Sequence, residues 1–127
     1  MKYLLDTHTA IWALDDKLKL SDSARSVMED DVLSLSVSIA SAWEIAIKVG
    51  IGKLNFNGGS ALFLEKMRKY GIEILGIEES YVKCVEALPF LHRDPFDRMI
   101  VATAISESLT ILTSDINIQK YNVSSLW

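Results

Sequence analysis

Four acidic side chains stand where one chain could gather them. Asp6 closes the apolar run KYLLD, Asp115 follows another in LTILTSD, Glu44 lies inside SIASAWEIAIK, and Asp97 is the second aspartate of HRDPFDRMIVATA. Singly, each has an ordinary use: a cap or turn for Asp6 and Asp115, an i,i+4 pair with Lys48 for Glu44, a first-turn acid for Asp97. Together they set an electrostatic problem. Two carboxylates about 4 Å apart repel by roughly 4 kcal/mol at an effective dielectric of 20, so four in one hollow require protonation or a metal ion. Oxygen donors with no cysteine and few histidines select hard cations, hence Mg²⁺, with Mn²⁺ as a substitute. Such ions polarise a phosphoryl oxygen, activate water and stabilise a leaving oxygen, which is the chemistry of phosphodiester hydrolysis.

Within HRDPFDRMIVATA the two aspartates have different prospects. Asp94 suits an N-cap, Pro95 the first helical position, and Asp97 the place three residues after the cap. The helix that follows carries Phe96, Met99, Ile100, Val101, Ala102, Ala104 and Ile105 around most of its circumference, so it is expected to be buried on most sides. Asp97 then points along an apolar flank, where an ionised carboxylate costs several kcal/mol unless a helix N-terminus, hydrogen bonds or a cation compensate.

These acids need elements to carry them. Strands are expected at residues 2–5, 32–36, 72–75 and 110–113, with a weaker one at 123–126. Between them lie helical patterns at 9–15, 21–30, 38–49, 60–70, 78–87 and 95–108. This alternation implies an α/β fold with a mainly parallel central sheet flanked by helices, whose ligands bind beyond the carboxyl ends of the strands. Asp6 and Asp115 fall at such ends. In the 38–49 helix the apolar stripe is read as Ile39, Ala42, Trp43, Ala46 and Ile47, with Glu44 at its edge. Gly50 and Gly52 follow a helix and lack the spacing of a phosphate-binding loop, so they are expected to end that helix and turn the chain.

Composition sets the frame. A chain of 127 residues, 50% hydrophobic and 24% charged, suits one soluble domain, residues 1–127, with a core that needs no disulfide or structural metal. The lone Cys84 fits a reducing cytoplasm and is expected as a small buried hydrophobe. No membrane segment is expected, because the longest uncharged run in the middle of the chain, residues 32–43, is short of the roughly 17–25 residues a span requires. MKYLLD meets a charge too early for a signal peptide. A net charge of −4 argues against non-specific coating of nucleic acid but leaves room for a nuclease with local cations such as Lys48, Lys53, Arg93 and Arg98.

With the acids placed, the chain resembles the PIN-domain ribonucleases, and among them the VapC-like toxins of type II toxin-antitoxin pairs. The likeness runs over essentially the full length, through YLLDTHTAIWAL, SIASAWEIAIKVGIGKL, HRDPFDRMIVATA and ILTSDINIQKY. It implies a PIN-like three-layer sandwich and a Mg²⁺-dependent endoribonuclease, with RNA as substrate and a cognate antitoxin as inhibitor. Position by position, the family's acids match Asp6, Glu44, Asp97 and Asp115. Asp6 and Asp97 would be the principal metal ligands, with Glu44 and Asp115 completing the pocket. A homodimer is the expected assembly.

Other residues have two readings each. His8 either contacts RNA or a ligating acid, or occupies a turn. Arg93 and Arg98 either bind phosphate oxygens or neutralise nearby acids. Trp12 and Trp43 are expected in the core or at a dimer contact, ahead of base stacking. With only His8 and His92 present, a histidine metal cluster is not expected. Two rival functions stand beside the nuclease. An aspartyl-phosphate phosphatase would also carry an aspartate at Asp6 but needs an acid where this chain has His8. A non-catalytic interaction module would use the acids only to meet a basic partner.

Overall fold

The computed structural model describes residues 2–127, and its central sheet is parallel throughout. The strands are β1 (Lys2–Leu5), β2 (Ser34–Ser38), β3 (Glu73–Leu75), β4 (Thr110–Leu112) and β5 (Ser125–Leu126), in the order β3-β2-β1-β4-β5. Seven α-helices connect them: α1 (Thr7–Asp15), α2 (Asp22–Glu29), α3 (Ile39–Gly50), α4 (Gly59–Lys69), α5 (Glu79–Ala87), α6 (Pro95–Glu107) and α7 (Ile116–Gln119). A short 3₁₀ turn at Lys17–Lys19 precedes α2.

Side-chain alternation divides the core into two layers around this sheet. Successive strand residues point to opposite faces, so Tyr3, Leu5 and Leu112 pack with α1 to α4, while Leu4 and Ile111 pack with α6 and α7. The first layer includes Ala10, Val37, Ile45, Phe63 and Met67; the second includes Ile100, Val101, Ala104 and Ile118. Both faces being covered is what a parallel sheet requires.

The element types expected from sequence are those found, with shifts of a few residues. β2 begins two residues later than expected because 30–33 form a turn in which the Asp30 carboxylate accepts from the Val32 amide. Helix α7 was not expected; a four-residue helix is too short to show a period. Helix α6 is less enclosed than its sequence suggests, since Ile105 is exposed.

The larger difference is the rotation of α3. Trp43 and Ile47 face solvent, at 58% and 40% exposure, together with Ala46, while Ala40, Ser41, Ala42, Glu44 and Ile45 are buried. Both sides of this helix carry apolar residues, so periodicity alone could not say which meets the sheet. Ile45 fills the core, and Glu44 finds buried polar partners. Those contacts select the rotation.

Candidate active site

At the carboxyl end of β1, the central strand, Asp6 is buried at 3% exposure. It caps α1 through Oδ1, which accepts from the Thr9 amide at 2.8 Å, and its Oδ2 accepts from the Thr113 hydroxyl. The backbone stays in register because the Asp6 amide donates to Leu112 O and the Thr9 hydroxyl donates to the same carbonyl. Burial pushes the Asp6 carboxyl above its ordinary range, opposed by the hydroxyl of Thr113, the Thr9 donors and the nearby His8.

Thr113 joins two acids. Its hydroxyl donates to Asp6 and accepts from the Asp115 amide at 3.0 Å. Asp115 in turn caps α7 through the Asn117 amide at 2.8 Å. From the other side of β1, the Thr7 hydroxyl donates to Glu44 Oε1 at 2.7 Å and lies 2.9 Å from Ser41 Oγ. Glu44 Oε2 accepts from Lys48, one helical turn on. That bond holds the Lys48 ammonium above the ordinary lysine range, with smaller help from the charges of Asp94 and Asp97.

Helix α6 brings the remaining acids. Asp94 is its N-cap, with Oδ1 accepting from the Phe96 and Asp97 amides at 2.8 and 3.2 Å, and Pro95 opens the first turn. Asp97 Oδ2 meets His92 Nε2 at 2.9 Å. Burial pushes the Asp97 carboxyl up to about 7; the charge of Asp94 adds to this, His92 opposes it, and Glu44 and Asp115 contribute further. Asp97 thus lies within electrostatic reach of three other acids, and its surroundings are acidic.

The four acids nevertheless do not share one set of ligand distances in this arrangement. Among the described residues, the group of three whose donor atoms all lie within 4.8 Å of one another is His92, Asp94 and Asp97. Asp6, Glu44 and Asp115 instead take protein donors: threonine hydroxyls, helix amides and Lys48. Sequence reasoning did not name His92 among the site residues, and the structure sets its Nε2 2.9 Å from Asp97 Oδ2. The signal was its place five residues before Asp97 with Pro95 between, a spacing over which the chain folds back on the first turn of the helix.

The expected cations divide. Arg93 is exposed beside the acidic mouth in sequence, and His8 is exposed after Asp6, its ring 5.9 Å from that of Trp12. Arg98 is different. Its guanidinium is buried, donating to Pro89 O, Val85 O and the Tyr121 hydroxyl at 2.9–3.0 Å and lying over the Phe90 ring. The substrate-binding role expected for Arg98 is corrected by this geometry: its forked donors tie α5 and the following loop to α6, where unpaired carbonyls would be costly. Trp43 leaves the expected core and stands against Phe96 edge to face at 5.1 Å. Trp12 is half-buried against Trp127. Cys84 is half-buried.

Residues 3–123 match the family model of the PIN domain. The chain belongs to the PIN domain family. No curated protein matches it. Among solved structures, it resembles a chain of VapBC2 from Rickettsia felis, a complex bound to a DNA fragment from its promoter, with TM-score 0.73 and 18% identity over 99% of this chain and 98% of that one. VapBC-1 from nontypeable Haemophilus influenzae gives TM-score 0.67 and 17% identity over 99% and 97%. A toxin-antitoxin complex from Klebsiella pneumoniae gives 0.64 and 16% over 98% and 96%. At these identities the likeness is one of fold, and it covers the PIN domain from end to end.

Proposed function

We propose that this PIN domain is a Mg²⁺-dependent endoribonuclease, with Mn²⁺ as a substitute ion, and the toxin of a toxin-antitoxin pair silenced by a cognate antitoxin. The observation that carries the reading is Asp97: a half-buried carboxyl held near 7 by burial and by the charges of Asp94, Glu44 and Asp115. A confined excess of negative charge is costly to a fold, and a divalent cation is the ligand that relieves it. The donor set fits such an ion, because it is dominated by carboxylate oxygens. Asp6, Glu44, Asp97 and Asp115 would hold it. When bound, the ion supplies polarisation of a phosphoryl oxygen and activation of water.

The chain's own residues have definable tasks. Thr113 and Thr9 keep the Asp6 carboxylate aimed by donating to both its oxygens, and Thr7 with Lys48 does the same for Glu44. With both oxygens so engaged, Asp6 is poorly disposed to attack phosphorus itself, which favours the nuclease over an aspartyl-phosphate mechanism. Arg93 and His8, both exposed, are the candidates for phosphate contacts.

The partners follow from the same reading. Complexes of this fold bear the names VapBC and toxin-antitoxin, which supports an antitoxin for this chain. The solvent-facing Trp43, Ile47 and Ile51 of α3 and its end support association with a second copy. Among the described residues no helix is long and apolar enough to cross a membrane, and the cytoplasm, where RNA is found, is the proposed location.

The test is incubation of the purified chain with mixed cellular RNA, with and without Mg²⁺, followed by mapping of the cut ends. Cleavage leaving 5′-phosphates, abolished by EDTA and by Asp97→Asn with secondary structure intact, is the expected result. Cleavage that survives both changes would falsify the metal-dependent mechanism. If the chain cuts nothing yet binds a basic partner that Asp97→Asn only weakens, the non-catalytic module is the better reading.

A further inference from the structure

His92 is left over when the four acids are assigned, and it is well anchored. Its amide donates to the Tyr121 hydroxyl at 3.1 Å, and that hydroxyl also accepts from buried Arg98. The loop before α6 is therefore pinned at the backbone, with the imidazole turned toward the helix start. There Nε2 stands 2.9 Å from Asp97 Oδ2. Asp94 presents a second carboxylate; its Oδ1 is committed to the helix amides, and Oδ2 has no hydrogen-bond partner among the described residues.

Donor atoms of these three side chains lie within 4.8 Å of one another. An octahedral ion with bonds of about 2.1 Å sets neighbouring ligand atoms about 3 Å apart and opposite ones about 4.2 Å apart, so a small inward turn closes the set around an ion. One imidazole and two carboxylates on a single face leave the opposite positions to water. This donor set is chemically unlike four carboxylates. Mg²⁺ prefers oxygen and gives up its waters reluctantly, whereas imidazole nitrogen suits first-row transition ions.

We propose that His92, Asp94 and Asp97 form a binding site for a divalent first-row transition ion at the rim of the acidic mouth, with His92 Nε2 as a direct ligand that discriminates against Mg²⁺. The ion takes the place of the direct contact between Nε2 and Oδ2. Asp97 makes this site a neighbour of the proposed catalytic one, yet ion binding does not require that RNA be cut.

Mn²⁺ is the probe, because its spin reports both occupancy and ligand nitrogen. With the full chain and Mn²⁺, electron spin echo modulation should show ¹⁴N coupling that persists in tenfold excess Mg²⁺. His92→Gln should lose that coupling and bind Mn²⁺ at least tenfold more weakly, and Asp94→Asn should bind more weakly but keep the nitrogen signal. His8→Gln, which changes the other histidine, should leave it unchanged. A measurement on the unaltered chain guards against misfolding: Mn²⁺ should broaden the ring resonances of ¹⁵N-labelled His92 at substoichiometric concentration. Mn²⁺ bound without nitrogen coupling, coupling that survives His92→Gln, or displacement by equimolar Mg²⁺ each overturns the proposal. Failure of RNA cleavage beside a positive nitrogen signal counts against the nuclease reading alone.

Discussion

Asp97→Asn should stabilise the fold at alkaline pH while removing metal-dependent cleavage. The Asp97 carboxyl sits at about 7 in the folded chain against an ordinary 3.8. At about 1.4 kcal/mol per pH unit, that difference is worth about 4 kcal/mol. Its sign follows from proton counting. The folded chain holds a proton that the unfolded chain releases, so this contribution is fully present below pH about 4 and is lost as pH rises through about 7. Asparagine has no proton to lose, and it keeps a polar contact for His92 at a cost of about 1 kcal/mol. Relative to wild type, the variant should therefore gain about 3 kcal/mol of stability between pH 5 and pH 8, the part of the window lying in that range. The assay is urea denaturation in EDTA, followed by tryptophan fluorescence at several pH values, with RNA cleavage measured on the same preparations. A stability difference that is flat across this range, or that falls, would refute the placement of Asp97 in a confined negative field.

Other residues test other parts of the structure. Thr113→Val keeps the shape of the side chain but removes the hydroxyl between Asp6 and Asp115; it should cost about 1–3 kcal/mol in urea melts and slow cleavage in the folded protein. Arg98→Ala should lower the denaturation midpoint by an amount corresponding to about 2–4 kcal/mol, since three acceptors lose a buried partner. Exposed Arg93→Ala should leave the midpoint unchanged but weaken RNA binding and reduce its salt dependence by about one ion, measured by titration at several salt concentrations. Ser108 ends α6 in the left-handed region at φ 55°, so Ser108→Gly should raise stability by roughly 0.5–1 kcal/mol in the same melts.

The α/β architecture was legible in the chain because its strands are short apolar runs and its helices carry caps. Asp94, Pro95 and Asp97 announce α6 before any coordinates are seen, and the structure finds the cap bonds there. KYLL followed by an acid announces a strand with a polar residue at its end, and the structure makes that strand the central one. Such features are local, since residues within a few positions of one another determine them. The same locality explains the errors. Helix α3 has apolar residues on two sides, and its rotation depends on what Thr7, thirty-seven residues away from Glu44, offers across β1. Arg98 looked like a free cation because its acceptors, Val85 O, Pro89 O and Tyr121, belong to other elements.

By itself, the sequence determined which residues carry charge, which elements form, and that acids end the strands of a parallel sheet, because these depend on residue type and short-range spacing. Only the tertiary structure decided which carboxylates approach one another and which retire into caps and pairs. Distances between side chains far apart in sequence arise from packing two helical layers on one sheet. That packing set His92 beside Asp97, buried Arg98, and turned Trp43 to the solvent.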